Sequence, residues 1–145
     1  DIQAMLLGGH GDTMVPLTRF TNVAGTPITK FLSAERLEEI VERTKKGGGE
    51  FVGLMRTSAW FAPGAAAAEM VEAIVKDSGR VLPGAGYCNG EYGLTDMFIG
   101  VPLKLGAGGV KEVVELDLDA DEQALLQESA DHVQVNLDKL KALIG

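Results

Sequence analysis

The stretch Met5–Pro16, which reads MLLGGHGDTMVP, decides the fold of this chain. Its apolar run is short enough for a strand and ends in glycines, which let the backbone turn sharply and let a ligand approach closely. We therefore expect His10 at the tip of a strand, where loops on a rigid scaffold usually present catalytic groups. Imidazole takes or gives a proton near neutral pH without special tuning. From these residues alone, His10 is either a proton-transfer residue or a histidine satisfied by backbone partners in a tight turn.

The middle of the chain has the periodicity of helices. Ser33 is the expected N-cap of an amphipathic helix, which Gly47–Gly49 should break or kink because glycine is a poor helix former. The stretch Ser58–Val75 is small and apolar around much of its circumference, so we expect it to be a buried helix. Core positions are the expectation for Trp60 and Phe61 at its head.

Strands and one further helix are predicted on either side of that region. The extended stretches are Ile2–Gly8, Arg19–Ile28, Arg80–Tyr87, Met97–Leu105 and Val110–Leu118. The last three are rich in valine and leucine and are separated by glycine-rich turns, which favours an antiparallel meander. Asp119 and Glu122 have the spacing of a capping box before an amphipathic helix that closes the chain. We expect one domain over residues 1–145, of the α+β class, with antiparallel strands packed against helices.

Composition excludes several classes of partner. Hydrophobic residues make up 46% and charged residues 23%, as in ordinary soluble domains, so nothing predicts disorder. The net charge of -8 argues against a nucleic-acid backbone or an anionic membrane surface as the main partner. A single cysteine, Cys88, cannot form an internal disulfide, and we expect a cytoplasmic location. The chain lacks an initiator methionine and enters a strand-like stretch at once, so we expect it to begin inside a longer polypeptide.

Other motifs have simpler interpretations. Gly106–Gly109 precedes a valine-rich strand rather than a helix, so a strand turn is expected there and not a nucleotide loop. His10 and Asp12 offer at most two metal ligands, and His132 lies among solvent-facing residues of the closing helix, so no metal site is expected. Ser58 has no nucleophile elbow around it, which makes acyl transfer a weak hypothesis.

The run Gly8–Leu17, GGHGDTMVPL, closely resembles the catalytic-histidine segment of malate dehydrogenases of the lactate-dehydrogenase-like type. Three further segments resemble that family in its order: Arg43–Glu50, Ser58–Ala66 and Gly100–Val110. The resemblance runs over essentially the whole chain but covers only the C-terminal, substrate-binding half of the family's protein. It implies the lactate/malate dehydrogenase C-terminal fold, with the N-terminal dinucleotide-binding domain absent from this chain.

The resemblance also implies a reaction. His10 would be the acid/base that takes the hydroxyl proton of malate while hydride leaves for NAD, giving oxaloacetate. Ser58 and Pro63 would line the pocket for substrate and nicotinamide. The family's dinucleotide loop, substrate arginines and orienting aspartate would all lie upstream, so we expect the 145 residues alone to be inactive. Family members are homodimers or homotetramers, and the closing helix and the helix after Ser33 offer surfaces for such contacts.

Two alternatives stay open. Another 2-hydroxy acid such as lactate could be the substrate, although Gly8–His10 favours malate because lactate-specific relatives usually carry glutamate before the histidine. Alternatively, the domain could be a non-catalytic module that serves subunit packing.

Overall fold

Two antiparallel sheets and three helices form the structure, a computed structural model that describes residues 1–144. The strands are β1 (Ile2–Gln3), β2 (Leu6–Gly8), β3 (Met14–Pro16), β4 (Asn22–Val23), β5 (Thr26–Pro27), β6 (Val81–Asn89), β7 (Thr95–Gly106) and β8 (Gly109–Val113). The helices are α1 (Ala34–Met55), α2 (Phe61–Val75) and α3 (Ala120–Ile144), with short 3₁₀ turns at Thr18–Phe20, Ile28–Lys30 and Glu91–Gly93. The predicted α+β class with antiparallel strands and a long C-terminal helix is confirmed.

The larger sheet has β7 at its centre. One edge of β7 pairs with β6 along nearly its whole length, and the other edge is shared by β2 and β8. The order β3-β2-β7-β6, with β8 also on β7, contains the predicted meander of β6, β7 and β8. The third of these strands is shorter than expected and ends at Val113, after which the chain runs on as coil to α3. The predicted turn at Gly106–Gly109 joins β7 to β8.

The N-terminal stretches divide more finely than their patterns predict. Ile2–Gly8 forms two strands because β1 pairs with β4 in a small three-stranded sheet, whereas β2 joins the larger sheet. Within Arg19–Ile28 only β4 and β5 are extended. The two residues between them, Ala24 and Gly25, both have positive φ, which is typical of a tight hairpin turn.

The core lies between the larger sheet and α3. Its fully buried members come from both layers: Leu7, Leu17, Val101, Leu103, Leu105, Leu126 and Ala130. The capping box at the start of α3 is confirmed, since Asp119 Oδ1 accepts from Glu122 N at 2.9 Å and Glu122 Oε2 accepts from Asp119 N at 3.0 Å. Arg19 then donates to both Glu122 carboxylate oxygens, at 3.0 and 2.6 Å, and so ties the turn after β3 to α3.

The predicted break in the first helix is wrong. Ser33 caps α1 as expected, its Oγ accepting from Arg36 N at 3.3 Å, but α1 continues through Gly47–Gly49. Arg43 and Glu50 bridge the glycines with hydrogen bonds of 3.0 and 2.8 Å, two helical turns apart. The helical turns on both sides and this bridge therefore outweigh the low helix propensity of three glycines.

The predicted burial of the alanine-rich helix is also wrong for this chain. Ala73 is the buried residue of α2, and the face that carries Met70 and Ile74 packs on the sheet core. The rest of its apolar surface is exposed, and so are Trp60 at 70% and Phe61 at 89%, which are not core residues. A single sheet face covers only one side of a helix, so an apolar circumference needs a second packing partner that residues 1–144 do not supply.

None of the helices described between residues 1 and 144 combines the length and the apolar character needed to cross a bilayer.

Candidate active site

His10 lies on the loop Gly9–Thr13 that joins β2 to β3. The two strands pair in register up to Gly8 and Met14, and Met14 N donates to Gly11 O at 3.1 Å, closing a turn at the far end of the loop. Gly11 has a φ of +93°, a conformation that other residues rarely adopt. The backbone on both sides of His10 is thus held while its side chain is exposed.

The strand that leads to His10 approaches the central strand of the sheet very closely. Gly8 pairs with Gly100 of β7, and a β-carbon built on Gly100 would collide with the Gly8 carbonyl oxygen. The glycine at position 100 is therefore required for β2 to pair with β7. This pairing sets the position of the His10 loop relative to the whole sheet.

Helix α3 contacts the loop from the other side through Ser129. Ser129 Oγ accepts a hydrogen bond from Gly9 N at 2.7 Å, and its side chain is buried, with 1% exposed. No sequence motif identified this residue. The signal that could have found it is a serine next to Ala130 on the apolar stripe of the closing helix, where a hydroxyl needs a partner.

The imidazole of His10 opens onto two grooves. The first, of about 440 Å³, lies between the hairpin and strands β6 and β7 and is mainly apolar, with Pro83, Phe98 and Val133 in its wall. The second, of about 760 Å³, lies between the loop and the middle of α1. A ligand can therefore reach the imidazole from an apolar side and from a polar side.

The groove beside α1 carries both signs of charge. Lys45 and Lys46 line it, together with Asp12 and Glu50. Hydrogen bonds and charge from Arg43 lower the pKa of Glu50, so this carboxylate stays ionised and paired. Lys46 Nζ lies 3.3 Å from Glu42, whereas Lys45 Nζ is 4.0 Å from the same carboxylate. The ammonium groups offer an anion a favourable approach to His10, although Asp12 opposes it.

Ser58 and Pro63 line neither of the two grooves that reach His10. Ser58 is exposed on the segment between α1 and α2, where its carbonyl accepts from Trp60 N at 3.0 Å. Pro63 is exposed in the first turn of α2.

Among residues 1–144, no three histidine, cysteine, aspartate or glutamate side chains are arranged so that they could hold one metal ion. His132 is exposed on α3, as expected. Cys88 is buried and unpaired, and burial raises the pKa of its thiol, which disfavours the reactive thiolate.

Comparison with known proteins gives one consistent family. Residues 1–144 match the family described as lactate/malate dehydrogenase, alpha/beta C-terminal domain. The malate dehydrogenase of Salinibacter ruber is 67% identical over 143 residues, which is 99% of this chain and 46% of that protein. The malate dehydrogenase of a Roseiflexus species is 58% identical over 144 residues, 99% of this chain and 47% of that protein. The chain thus spans about half the length of the curated relatives it matches.

Solved structures agree with the sequence relatives. Malate dehydrogenase from Salinibacter ruber superposes with a TM-score of 0.95 at 67% identity, covering 99% of this chain and 47% of that one. Malate dehydrogenase from Plasmodium falciparum in complex with NADH superposes with a TM-score of 0.94 at 37% identity. The match covers 100% of this chain and 50% of that one. Lactate dehydrogenase from Eimeria maxima with NADH and oxamate superposes with a TM-score of 0.93 at 38% identity. The match covers 99% of this chain and 46% of that one.

Proposed function

Because this chain belongs to the lactate/malate dehydrogenase C-terminal domain family, we propose that it is the substrate-binding half of an NAD-dependent malate dehydrogenase. The relatives of highest identity reported above are malate dehydrogenases, which supports malate and oxaloacetate as the substrate pair. Since the chain spans about half of those proteins, the proposed activity belongs to the longer protein, with a dinucleotide-binding domain upstream of Asp1.

The observation that carries the proposal is the placement of His10. Its backbone is fixed by the β2–β3 hairpin, by the contact with β7 and by Ser129, whereas its imidazole is exposed at the mouths of two grooves. The imidazole is exposed and lines both grooves, so a ligand in either groove can reach it.

The proposed role of His10 is proton transfer at the substrate hydroxyl. In malate oxidation the O–H bond breaks as its proton passes to an imidazole nitrogen, and the C2–O bond becomes a carbonyl as C2 loses hydride. The chemistry that NAD supplies when bound is acceptance of that hydride. In oxaloacetate reduction the protonated His10 donates a hydrogen bond to the carbonyl oxygen and then gives it the proton.

The glycine-rich turn of this chain does not fit the phosphates of the cofactor. Gly106–Gly109 joins two antiparallel strands, and no helix N-terminus follows it, so it lacks the geometry that binds a pyrophosphate. We therefore place the dinucleotide site in the upstream domain. Ser58 and Pro63 remain proposed pocket residues on the sequence resemblance, and their exposure leaves them accessible to that domain.

The isolated 145 residues should be inactive, because the substrate arginines and the aspartate that orients His10 belong to the proposed upstream part. In the serine protease triad, loss of the orienting aspartate costs on the order of 10⁴ in rate. Oxidation of NADH with oxaloacetate, followed by absorbance, measures this directly. Appreciable turnover by the isolated chain would contradict the proposed division of the site.

The full-length protein tests the role of His10. His10→Asn should lower turnover of oxaloacetate by roughly 10²- to 10⁴-fold, the usual contribution of a general acid or base, while NADH binding measured by fluorescence is retained. His132→Asn is the matched control, since that histidine is exposed on α3, and it should leave turnover unchanged. Wild-type turnover in His10→Asn would remove His10 from the proposed role.

The choice between malate and lactate needs a substrate panel. The fold does not decide it, because the lactate dehydrogenase and malate dehydrogenase structures match this chain almost equally well. We propose malate, and expect kcat/KM for oxaloacetate to exceed that for pyruvate. A preference for pyruvate would instead support the lactate alternative.

We also propose a homo-oligomer, a dimer or a tetramer, in the cytoplasm. Exposed apolar side chains on all three helices support self-association, among them Leu54 at 76%, Phe61 at 89% and Leu143 at 84%. The unpaired Cys88 supports a reducing compartment. Light scattering on the full-length protein would measure its mass. A monomer with full activity would contradict the oligomer, and an oligomer without activity would favour the packing-module alternative.

A further inference from the structure

We propose that Ser129 is a positioning residue for His10, acting through the Gly9 backbone. The inference rests on the proposed function, because it concerns how the proton-transfer group of that reaction is held. It assigns a role to a residue that lies 120 positions along the chain from its hydrogen-bond partner.

The hydrogen bond holds the loop at the place where the strand pairing stops. Register pairing of β2 with β3 ends at Gly8 and Met14, so Gly9 N–H lies just beyond the ladder. Ser129 Oγ accepts from that N–H at 2.7 Å. A backbone N–H away from water needs an acceptor, and α3 provides it one residue before His10.

Steric contact holds the same segment. A β-carbon at Gly8 would lie 2.7 Å from Ser129 Oγ, and one at Gly9 would lie 2.7 Å from Thr13 Oγ1. The two glycines before His10 are therefore packed against α3 and against their own loop. The contact with α3 gives a steric reason for the glycine at position 8, whose φ of +85° also disfavours other residues.

Burial indicates that Ser129 is specific to this contact. Its side chain is buried, with 1% exposed, on the same helix as the core residues Leu126 and Ala130. A buried hydroxyl needs a hydrogen-bond partner, and the Gly9 N–H supplies one.

Proton transfer is sensitive to such positioning. The imidazole must reach hydrogen-bond distance of the substrate oxygen, and a misplacement of about 1 Å can cost on the order of 10²-fold in rate. Without the Ser129 acceptor, the Gly9 peptide has to find water or another partner, and His10 moves with it.

The test uses the full-length protein with NADH and oxaloacetate. Ser129→Ala should lower kcat by roughly 10- to 100-fold while NADH binding and the folded state, followed by circular dichroism, are retained. Because the chemical step is slowed, the kinetic isotope effect on kcat with deuterated NADH should be at least as large as in the wild type. Ser129→Cys keeps a side chain of similar size whose sulfur is a weak acceptor, so it should lower kcat less than the alanine variant does. If Ser129→Ala does not fold, the same measurements are made on Ser129→Cys.

Ser78→Ala is the matched control, because Ser78 also bonds a backbone group, Ala73 O at 3.4 Å, but on the far end of α2. It should leave kcat and the isotope effect unchanged. Wild-type kcat in Ser129→Ala would overturn the inference, and so would a loss of kcat matched by an equal loss of NADH-binding sites, which indicates fewer active molecules. If the wild-type protein fails to reduce oxaloacetate, the proposed function itself fails, and this inference fails with it.

Discussion

The region around the His10 loop and the region formed by α1 and α2 differ in how much apolar surface this chain buries. Beneath the loop, Leu7 and Val15 of the hairpin and Leu126 and Ala130 of α3 are 3% exposed or less. In contrast, α1 has no buried residue and α2 has one, Ala73, although both helices carry many apolar side chains.

This difference separates what the chain completes by itself from what it leaves to other surfaces. The loop with the proposed proton-transfer residue is fixed by the sheet and by α3, all within residues 1–144. The helices that carry or flank Ser58 and Pro63 expose apolar faces of the kind that mark contact surfaces. The loop that carries the proposed proton-transfer residue is therefore preformed, whereas the apolar faces of α1 and α2 remain uncovered within residues 1–144.

The largest expected contrast is between two leucines. Leu126→Ala removes a side chain with no exposed surface, so it should lower the free energy of unfolding by about 2–5 kcal/mol. Leu54→Ala on α1 removes a side chain that is 76% exposed. It should therefore change the free energy of unfolding by less than about 0.5 kcal/mol. Urea denaturation of the 145-residue chain measures both.

The same pair sharpens the comparison in the full-length protein. If the α1 face is covered in the full-length protein, Leu54→Ala should lower the free energy of unfolding distinctly more there than in the isolated chain. The loss caused by Leu126→Ala should be similar in both. A large effect of Leu54→Ala in the isolated chain would contradict the exposed position of α1.

Two glycines give the next contrast. Gly100→Ala places a β-carbon against the Gly8 carbonyl oxygen, so we expect a loss of about 1–3 kcal/mol and a displaced His10 loop. Gly53→Ala in α1 meets no atom within 4 Å and should stabilise the chain by about 0.5–1 kcal/mol. Thermal or urea unfolding measures both. Equal effects of the same sign would show that the close approach of β2 and β7 is not as described.

The smallest expected effect is a pH dependence that distinguishes two ion pairs. Hydrogen bonds from Arg19 lower the pKa of Glu122 in the folded chain, so this carboxylate stabilises the fold above its unfolded pKa of about 4.3. That stabilisation is lost as pH falls below this value, through the lower folded pKa.

Glu122→Gln should therefore lower the free energy of unfolding by about 1 kcal/mol at pH 7, and by progressively less as the pH falls. Glu50→Gln is the control, because Glu50 pairs with Arg43 on one exposed helix and links no separate elements. Its effect at pH 7 should be smaller than that of Glu122→Gln. Stability curves of both variants against pH provide the measurement, and a Glu122→Gln curve parallel to wild type would contradict the assigned pair.

Local patterns in the sequence predicted most of the fold. The capping box at Asp119 and Glu122 and the Ser33 cap are local hydrogen-bonding patterns, and the meander follows from alternating apolar stretches and turns. The errors in the helices have a common origin, since the outcome depends on distant partners or on long side chains. Neither the Arg43–Glu50 bridge over the glycines nor the missing cover over Phe61 can be inferred from periodicity.

The residues of the candidate site likewise divide into those that the sequence identifies and those that only the tertiary structure shows. His10 could be found because its neighbours form a contiguous motif. Ser129 and Gly100 could not be assigned, because they meet the loop only after α3 and β7 have packed on it. Whether Ser58 and Pro63 join His10 in one pocket stays a prediction.

By itself, the sequence determined the class of the fold, the helix caps and the position of His10 in a glycine turn. Each of these depends on residues close together along the chain, where backbone preferences and capping hydrogen bonds act. Only the tertiary structure decided which backbone groups hold that turn and which apolar helix faces remain uncovered. The first outcome depends on contacts across 90 or more positions, such as Gly8 with Gly100 and Gly9 with Ser129, and the second on how helices pack on the sheet; no local pattern encodes either.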